Sequence, residues 1–205
     1  MISIAGQPFI FHQIHQLLRQ NISEIFLCLG HLGDEVEQYL QTKSYPDLDI
    51  HYIYDGEQLL GTGGCIKNAI TYLPEEFFIL YGDSYLDINY AEVYNAYLFS
   101  EKSALLTVYK NQGLWDSSNV EMENNKIKLY SKKNTNSNMS YIDYGLSIIS
   151  PKVFDKINLD IPFDLSVIYE YLSKRKMLAS FEAKNRFYEI GSKKGIVELD
   201  NYLNN

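Results

Sequence analysis

The sequence predicts an α/β fold, a mixed and mostly parallel sheet with helices on both faces, and three observations carry that reading. Short apolar runs alternate with stretches of helical spacing up to Lys110, the βαβα order of a doubly wound sheet with right-handed crossovers. The runs "EIFLCLG" and "EFFILYGD" are nearly continuous rather than alternating, as in strands covered on both faces. A chain of 205 residues, 46% hydrophobic and 21% charged, is long enough to bury a sizeable core as one domain, 1–205.

The elements follow in order. Pro8 sits where a helix can begin, and Ile10, Ile14, Leu17 and Leu18 repeat at helical spacing behind it. "EIFLCLG" is a strand, Asp34 to Lys43 an acidic-started helix, and "DIHYIYD" a second strand. Gly63 to Leu73 is a helix that follows the glycine turn of "LLGTGGCIKNAI". "EFFILYGD" is a buried strand, Tyr90 to Ser100 a helix, and "ALLTVYK" a strand. Beyond Lys110 the rhythm changes. "SNVEMENNKIKLYSKK" reads as a hairpin turning at Asn124-Asn125, and "MSYIDYGLSIIS" as a strand returning to the core. Pro151 opens a short helix, "LSVIYEYLSKR" is a longer one, "MLASFEAK" and "RFYEIGS" are strands, and a helix closes the chain from Lys193 to Leu203. Lys132 to Ser140, "KKNTNSNMS", is the candidate mobile loop. On this reading the chain opens with a helix, whereas a parallel sheet of βα units ordinarily opens with a strand. The first strand is therefore expected to be missing.

Composition narrows the function classes. A net charge of -8 argues against nucleic-acid binding, which rests on Lys and Arg neutralising phosphates. It also means that an anionic substrate needs a metal ion or a local basic pocket. No apolar run reaches the roughly 18 residues that span a bilayer, and "MISIAGQPFIFHQ" lacks the basic start of a secretory signal. Cys28 and Cys65 lie in apolar surroundings and read as reduced core residues of a cytoplasmic protein.

In open α/β sheets, ligands bind at the carboxyl ends of the strands. Asp83 follows the apolar run "FFILY" and a glycine, and Glu189 of "RFYEIG" has the same form. Two acids from separate strands can hold a hard divalent cation, since Mg²⁺ commonly combines one or two carboxylates with substrate phosphates. Equally, Asp83 can cap a turn and Glu189 can be a solvated strand end. Gly61, Gly63 and Gly64 let main chain approach an anion or a flat ring, or simply serve a tight turn that needs positive φ. His12 and His15, three apart on the first helix, lack an evident third ligand for zinc. No Ser, Cys or His falls in a nucleophile elbow. Trp115 can stack on a sugar or pack, and Lys132 and Lys133 can neutralise a phosphate or stay solvated.

Several of these segments together resemble the sugar-phosphate nucleotidyltransferases. "LLGTGG" resembles that family's nucleobase-contacting turn, "YGDSYLDIN" its segment with the metal-binding aspartate, and "YIDYG" its sugar-contacting (I/V)NAG. "FYEIGSKKGI" resembles the (F/Y)xDIGTPExY segment with the second metal ligand, and "AGQPFIFHQI" the stretch just after the N-terminal signature. The matches keep the family's order over nearly the whole chain. "WDSSNV", "YIDYG" and "FYEIGS" look most like the branch of D-glycero-D-manno-heptose 1-phosphate guanylyltransferases.

The resemblance implies a Rossmann-like, GT-A-type fold with a nucleotide-binding half, 1–110, and a sugar-phosphate-binding half, 111–205. It implies that Gly61, Thr62, Gly63 and Gly64 line the base and that Asp83 and Glu189 hold Mg²⁺, Glu189 standing where aspartate is usual. Asn119, Asp143, Gly145 and Glu189 fall in the sugar-phosphate site, and Lys132 inherits the catalytic phosphate contact. Asp143 replaces an asparagine, an acceptor for a donor-acceptor, and Ser131 stands where the family has a sugar-binding glutamate. The implied substrates are an NTP and a sugar 1-phosphate in the cytoplasm, in nucleotide-sugar synthesis for cell-surface polysaccharide. GTP and a heptose follow from the branch alone, UTP, CTP or dTTP with another sugar stays open, and a homo-oligomer is compatible with the reading. The family's GxGTRL…PKP signature, whose loop cradles the triphosphate, is absent, and Met1 falls just after it. The expectation is an internal start or a true truncation. A non-catalytic nucleotide-sugar-binding or regulatory protein is then the alternative to an enzyme.

Overall fold

The computed structural model describes residues 1–113, 115, 117–157 and 159–204, so Leu114 and Asp116 of "LWDSSNV" lie outside the described residues. The chain begins with a tight antiparallel hairpin, β1 (Ser3–Ile4) and β2 (Gln7–Pro8), which forms a sheet of its own. The first element is thus a hairpin rather than a helix, because Ala5 and Gly6 take positive φ and turn the chain back at once. Pro8 stands at the N-cap of α1 (Phe9–Arg19), as its fixed φ suits. β3 (Glu24–Leu29) and β4 (Asp49–Tyr54) pair in parallel, Glu24 opposite Asp49, and are joined through α2 (Gly33–Gln41).

α3 (Gly61–Ala69) starts at the glycine turn itself, two residues earlier than its apolar spacing predicts. β5 (Phe77–Leu80) leads through Gly82 and Asp83 into β6 (Ser84–Leu86), a strand too short to show period-two alternation in the sequence. α4 (Tyr90–Ser100) is capped by Asn89, whose side-chain oxygen accepts from the Ala91 and Glu92 N–H groups. β7 (Ala104–Lys110) follows. β8 (Val120–Glu123) and β9 (Lys126–Tyr130) form the expected hairpin, with Asn124 and Asn125 at φ of 51° and 59°, the left-handed pair that a two-residue turn requires. The remainder is β10 (Tyr141–Ile149), α5 (Lys152–Asp155), α6 (Ser166–Lys174), β11 (Leu178–Glu182), β12 (Phe187–Glu189) and α7 (Lys193–Asn204). Between β9 and β10 the irregular stretch is held by its own bonds, Asn134 N–H to Ser131 Oγ and Asn138 N–H to Asn136 Oδ1, and it buries Met139.

The chain divides into two compact units interleaved in sequence: Met1–Leu59 with Gly82–Tyr85 and Phe187–Asn205, and Leu60–Tyr81 with Leu86–Arg186. The chain passes from one unit to the other after Leu59, Tyr81, Tyr85 and Arg186. In the first unit, Ile14, Ile25, Leu40 and Leu48 form one core cluster, and Ile4, Phe9, Tyr85 and Leu199 another. In the second, β11, β7, β10, β8 and β9 run side by side, with β5 also on β10. β11 is parallel to β7, while β10 is antiparallel to β5, β7 and β8. Four strands therefore share one direction, and β10 returns between them. The core of this unit gathers Leu106, Val108, Ile149, Leu165, Ile168 and Leu172, among others.

Two expectations need correcting. Cys28 is exposed and Cys65 only half-buried, and neither is in a disulfide. The reason is strand parity: Ile25 and Leu29 point into the core, while Glu24 and Cys28 on the other face are exposed. β3 is covered on one face, not two. His12 and His15 serve packing: His12 Nε2 lies 2.7 Å from the Ile4 carbonyl oxygen, and His15 lies against Phe11 and Tyr45. Among the described residues, no helix is long and apolar enough to cross a membrane.

Candidate functional site

The first unit carries the acid pair. Asp83 lies exposed in the turn between β5 and β6, and its main-chain oxygen accepts from Ile190 N–H at 3.0 Å. That bond ties the turn to the residue just after Glu189 at the end of β12. A Cβ built on Gly191 would lie 3.2 Å from Glu189 Oε2 and 3.8 Å from Asp83 Oδ2. Both carboxylates therefore face one point, over a residue with no side chain to separate them. Glu189 is held by Ser192, whose N–H donates to Oε2 at 2.8 Å and whose hydroxyl donates to Oε1. Ser192 Oγ in turn accepts from Gly195 N–H at 2.9 Å, in the first turn of α7. A Cβ on Gly195 would come within 2.0 Å of Glu189 Oε1, so glycine is required there for the acid to fold back onto the helix start.

Two hard carboxylate oxygens facing one point suit Mg²⁺ completed by water and phosphate, and do not suit a soft or all-protein site. Among the described residues, no group of three or more His, Cys, Asp or Glu is placed to hold a metal. The donor set fits an ion that arrives with its substrate.

The second unit carries the glycine turn. Gly61 has φ +75° and Gly63 and Gly64 are buried. What lies against them is the segment before α6. The Gly63 and Gly64 N–H groups both donate to the Phe163 carbonyl, at 3.0 and 3.2 Å, and Phe163 N–H donates to the Leu60 carbonyl at 3.1 Å. Thr62 Oγ1 accepts from Leu165 N–H at 2.9 Å. Gly61 and Thr62 alone of this turn are exposed. The glycines thus satisfy a tight turn and a close backbone approach together.

Lys132 stands beside this turn's partner segment. Its Nζ is 3.7 Å from Asp164 Oδ1 and 5.7 Å from the centre of the Tyr81 ring, the latter within cation–π range. Asp164 also accepts from Ser166 N–H at 2.8 Å, which starts α6. Burial pushes its carboxyl pKa up, but Ser166, Lys132 and Thr62 outweigh that and hold it below the ordinary range.

Asp143 sits where β10 departs from its register with β7, two residues before Gly145 at φ +98°. Its Oδ1 accepts from Gly145 N–H at 3.0 Å, and its Oδ2 from the Tyr81 and Tyr130 hydroxyls at 3.1 and 3.3 Å. Asn119 Oδ1 accepts from Asp143 N–H at 2.9 Å. Burial pushes the Asp143 pKa up against the pull of Gly145, Lys132 and the two tyrosines. The carboxylate thus accepts three hydrogen bonds, and an amide nitrogen in place of Oδ2 could accept neither hydroxyl, so both tyrosines would have to turn their O–H groups away. Asp143→Asn should therefore cost about 1–3 kcal/mol, the penalty for a buried donor left without an acceptor; a thermal melt matching wild type would refute the donor count. Trp115 has Arg186 stacked 3.9 Å from its ring centre, and its main-chain N–H donates to Asn111 Oδ1.

The structure brings Thr62, Lys132, Asn119, Asp143 and Gly145 into the second unit and Asp83 and Glu189 into the first. It adds Asp164, Phe163, Tyr81 and Tyr130, which pattern reading passes over. For Asp164 the available signal was the capping form of "FDLS" ahead of an apolar helix.

The mixed, mostly parallel sheet with its helices is the GT-A-like fold of solved nucleotidyltransferase structures. No protein-family model matches the chain. Its homologues are sugar-1-phosphate nucleotidyltransferases. It is 22% identical over 200 residues to a mannose-1-phosphate guanyltransferase beta-B of Xenopus laevis, covering 95% of this chain and 55% of that protein. It is 21% identical over 192 residues to the D-glycero-alpha-D-manno-heptose 1-phosphate guanylyltransferase of Campylobacter jejuni, covering 93% of this chain and 84% of that one. The crystal structure of HddC from Yersinia pseudotuberculosis superposes with a TM-score of 0.83 at 21% identity, covering 99% of this chain and 88% of HddC; HddC is also known complexed with GMP-PN. The chain spans about half the length of the first curated relatives it matches.

Proposed function

We propose that the chain joins a sugar 1-phosphate to an NTP, giving an NDP-sugar and pyrophosphate with Mg²⁺ as cofactor. The observation that carries this is the pair Asp83 and Glu189, two acids far apart in sequence that face one point beside Gly191. The homologues' shared activity and the GMP-PN complex of HddC support the nucleotide.

In this reading the base lies along the turn Gly61–Gly64, with exposed Gly61 and Thr62 making the contact and Gly63 and Gly64 shaping the turn beneath. Asn119, Asp143 and Gly145 shape the sugar-phosphate site, and Lys132 supplies its cation. The attacking phosphate needs no protein base, because a monoester with a second pKa near ~6 is already largely ionised at neutral pH. The chain's work is alignment and charge neutralisation. Mg²⁺, when bound, supplies positive charge to the phosphates, and Asp83 and Glu189 are the residues that would hold it. The cytoplasm is the compartment where such substrates are at hand, and the products would serve cell-surface polysaccharide synthesis.

The test is to incubate the chain with Mg²⁺, each NTP in turn, and heptose or hexose 1-phosphates, and to assay pyrophosphate. Release with one pair, abolished by chelation, is the expected result and identifies base and sugar. No release from any pair, with calorimetric binding of an NDP-sugar, would replace the enzyme by a nucleotide-sugar-binding protein.

A further inference from the structure

Asp164 belongs to no motif of the resemblance, yet it joins the two functional parts of the second unit. Its neighbours Phe163 and Leu165 are bonded to the glycine turn through Leu60, Gly63, Gly64 and Thr62, and its own carboxylate accepts from the Ser166 N–H at the start of α6. On its other side Asp164 Oδ1 faces the Lys132 ammonium at 3.7 Å. Lys132 itself lies over the Tyr81 ring, whose hydroxyl is anchored on Asp143. A lysine stem carries roughly 2 kcal/mol of rotamer entropy. An ammonium already placed between a carboxylate and an aromatic face has lost part of that freedom before any phosphate arrives, and it keeps donors to spare, since it has three.

We propose that Asp164 is a positioning residue that holds Lys132 in place against the glycine turn, so that the affinity for the sugar phosphate depends on its charge. The proposal rests on the reading of Lys132 as the sugar-phosphate contact. Asp164 touches neither reacting group. It acts through Lys132, and both partners are about half exposed, with side-chain exposures of 43% and 51%. The effect is accordingly that of a surface ion pair and not of a buried one.

Asp164→Asn tests this, because asparagine keeps an oxygen for the Ser166 N–H and removes the charge. The KM for the sugar 1-phosphate should rise about two- to five-fold, the range of an exposed ion pair. The KM for the NTP and the melting temperature should stay as in wild type. In a Lys132→Gln background the same change should add nothing. Calorimetry with inorganic phosphate reads the effect without turnover, and wild type should bind more tightly than Asp164→Asn by a similar factor. An unchanged or lowered KM, a rise of equal size without Lys132, or phosphate binding that is equal or undetectable in both proteins would overturn the proposal. Should wild type release no pyrophosphate from any substrate pair, the enzymatic reading fails, while the phosphate titration still decides about Asp164.

Discussion

Asp83→Asn is expected to lower pyrophosphate release by about 10²-fold or more, the order seen when one preorganised electrostatic contact is removed. The fold should be unaffected. Asp83 is exposed, the bond that ties its turn to Ile190 uses main-chain atoms, and asparagine keeps an acceptor for the Ser84 hydroxyl that Asp83 Oδ1 receives at 3.1 Å. An exposed substitution of this kind ordinarily moves stability by no more than about 0.5 kcal/mol. Loss of turnover with an unchanged melting curve would assign the residue to chemistry, and wild-type turnover would dismiss the metal reading. Gly191→Ala is the companion. Its methyl would stand 3.2 Å from Glu189 Oε2 and 3.8 Å from Asp83 Oδ2, in the space an ion would share, and should raise the Mg²⁺ concentration needed for half-maximal rate.

Gly61→Ala should produce the largest loss of stability. Gly61 has φ +75°, and a Cβ there would lie 2.6 Å from the Phe163 carbonyl oxygen and 3.0 Å from its carbon, both main-chain atoms that cannot swing aside. The left-handed conformation costs an L-residue roughly 1–2 kcal/mol, and forced overpacking adds about 1–3 kcal/mol. Against this, the stiffer unfolded chain returns at most about 1 kcal/mol. The net is about 3 kcal/mol, or a melting temperature lower by roughly 6–12 °C in a domain of this size. Gly63→Ala meets the Phe163 ring at 2.3 Å instead, a side chain that can rotate, and should cost less. Equal melting temperatures for both variants and wild type would mean that the segment around Phe163 does not lie on the turn.

Much of this was legible from local pattern. Ala104 to Lys110 and Tyr90 to Ser100 fall where their apolar spacing places them, and Asn124-Asn125 turns its hairpin because few other residues accept positive φ twice in succession. Asp83 and Glu189 could be singled out because each ends an apolar strand, a relation written in consecutive residues. Cys28 shows where such reading stops. An apolar run does not say how many faces of its strand are covered, and that depends on what packs across it. β6 and the opening hairpin escaped for a simpler reason: elements of two or three residues have no period to detect.

The one-dimensional chain thus settled the α/β class, the order of its elements and the acids at strand ends, since each of these depends on residues near one another along the backbone. Tertiary structure alone decided that two such acids face the same point, that Phe163 and not open space lies on Gly63 and Gly64, and that Asp143 accepts from both Tyr81 and Tyr130. It alone placed Asp164 against Lys132. Those facts are distances between residues tens of positions apart, fixed by how helices and strands pack, and no local propensity or spacing encodes them.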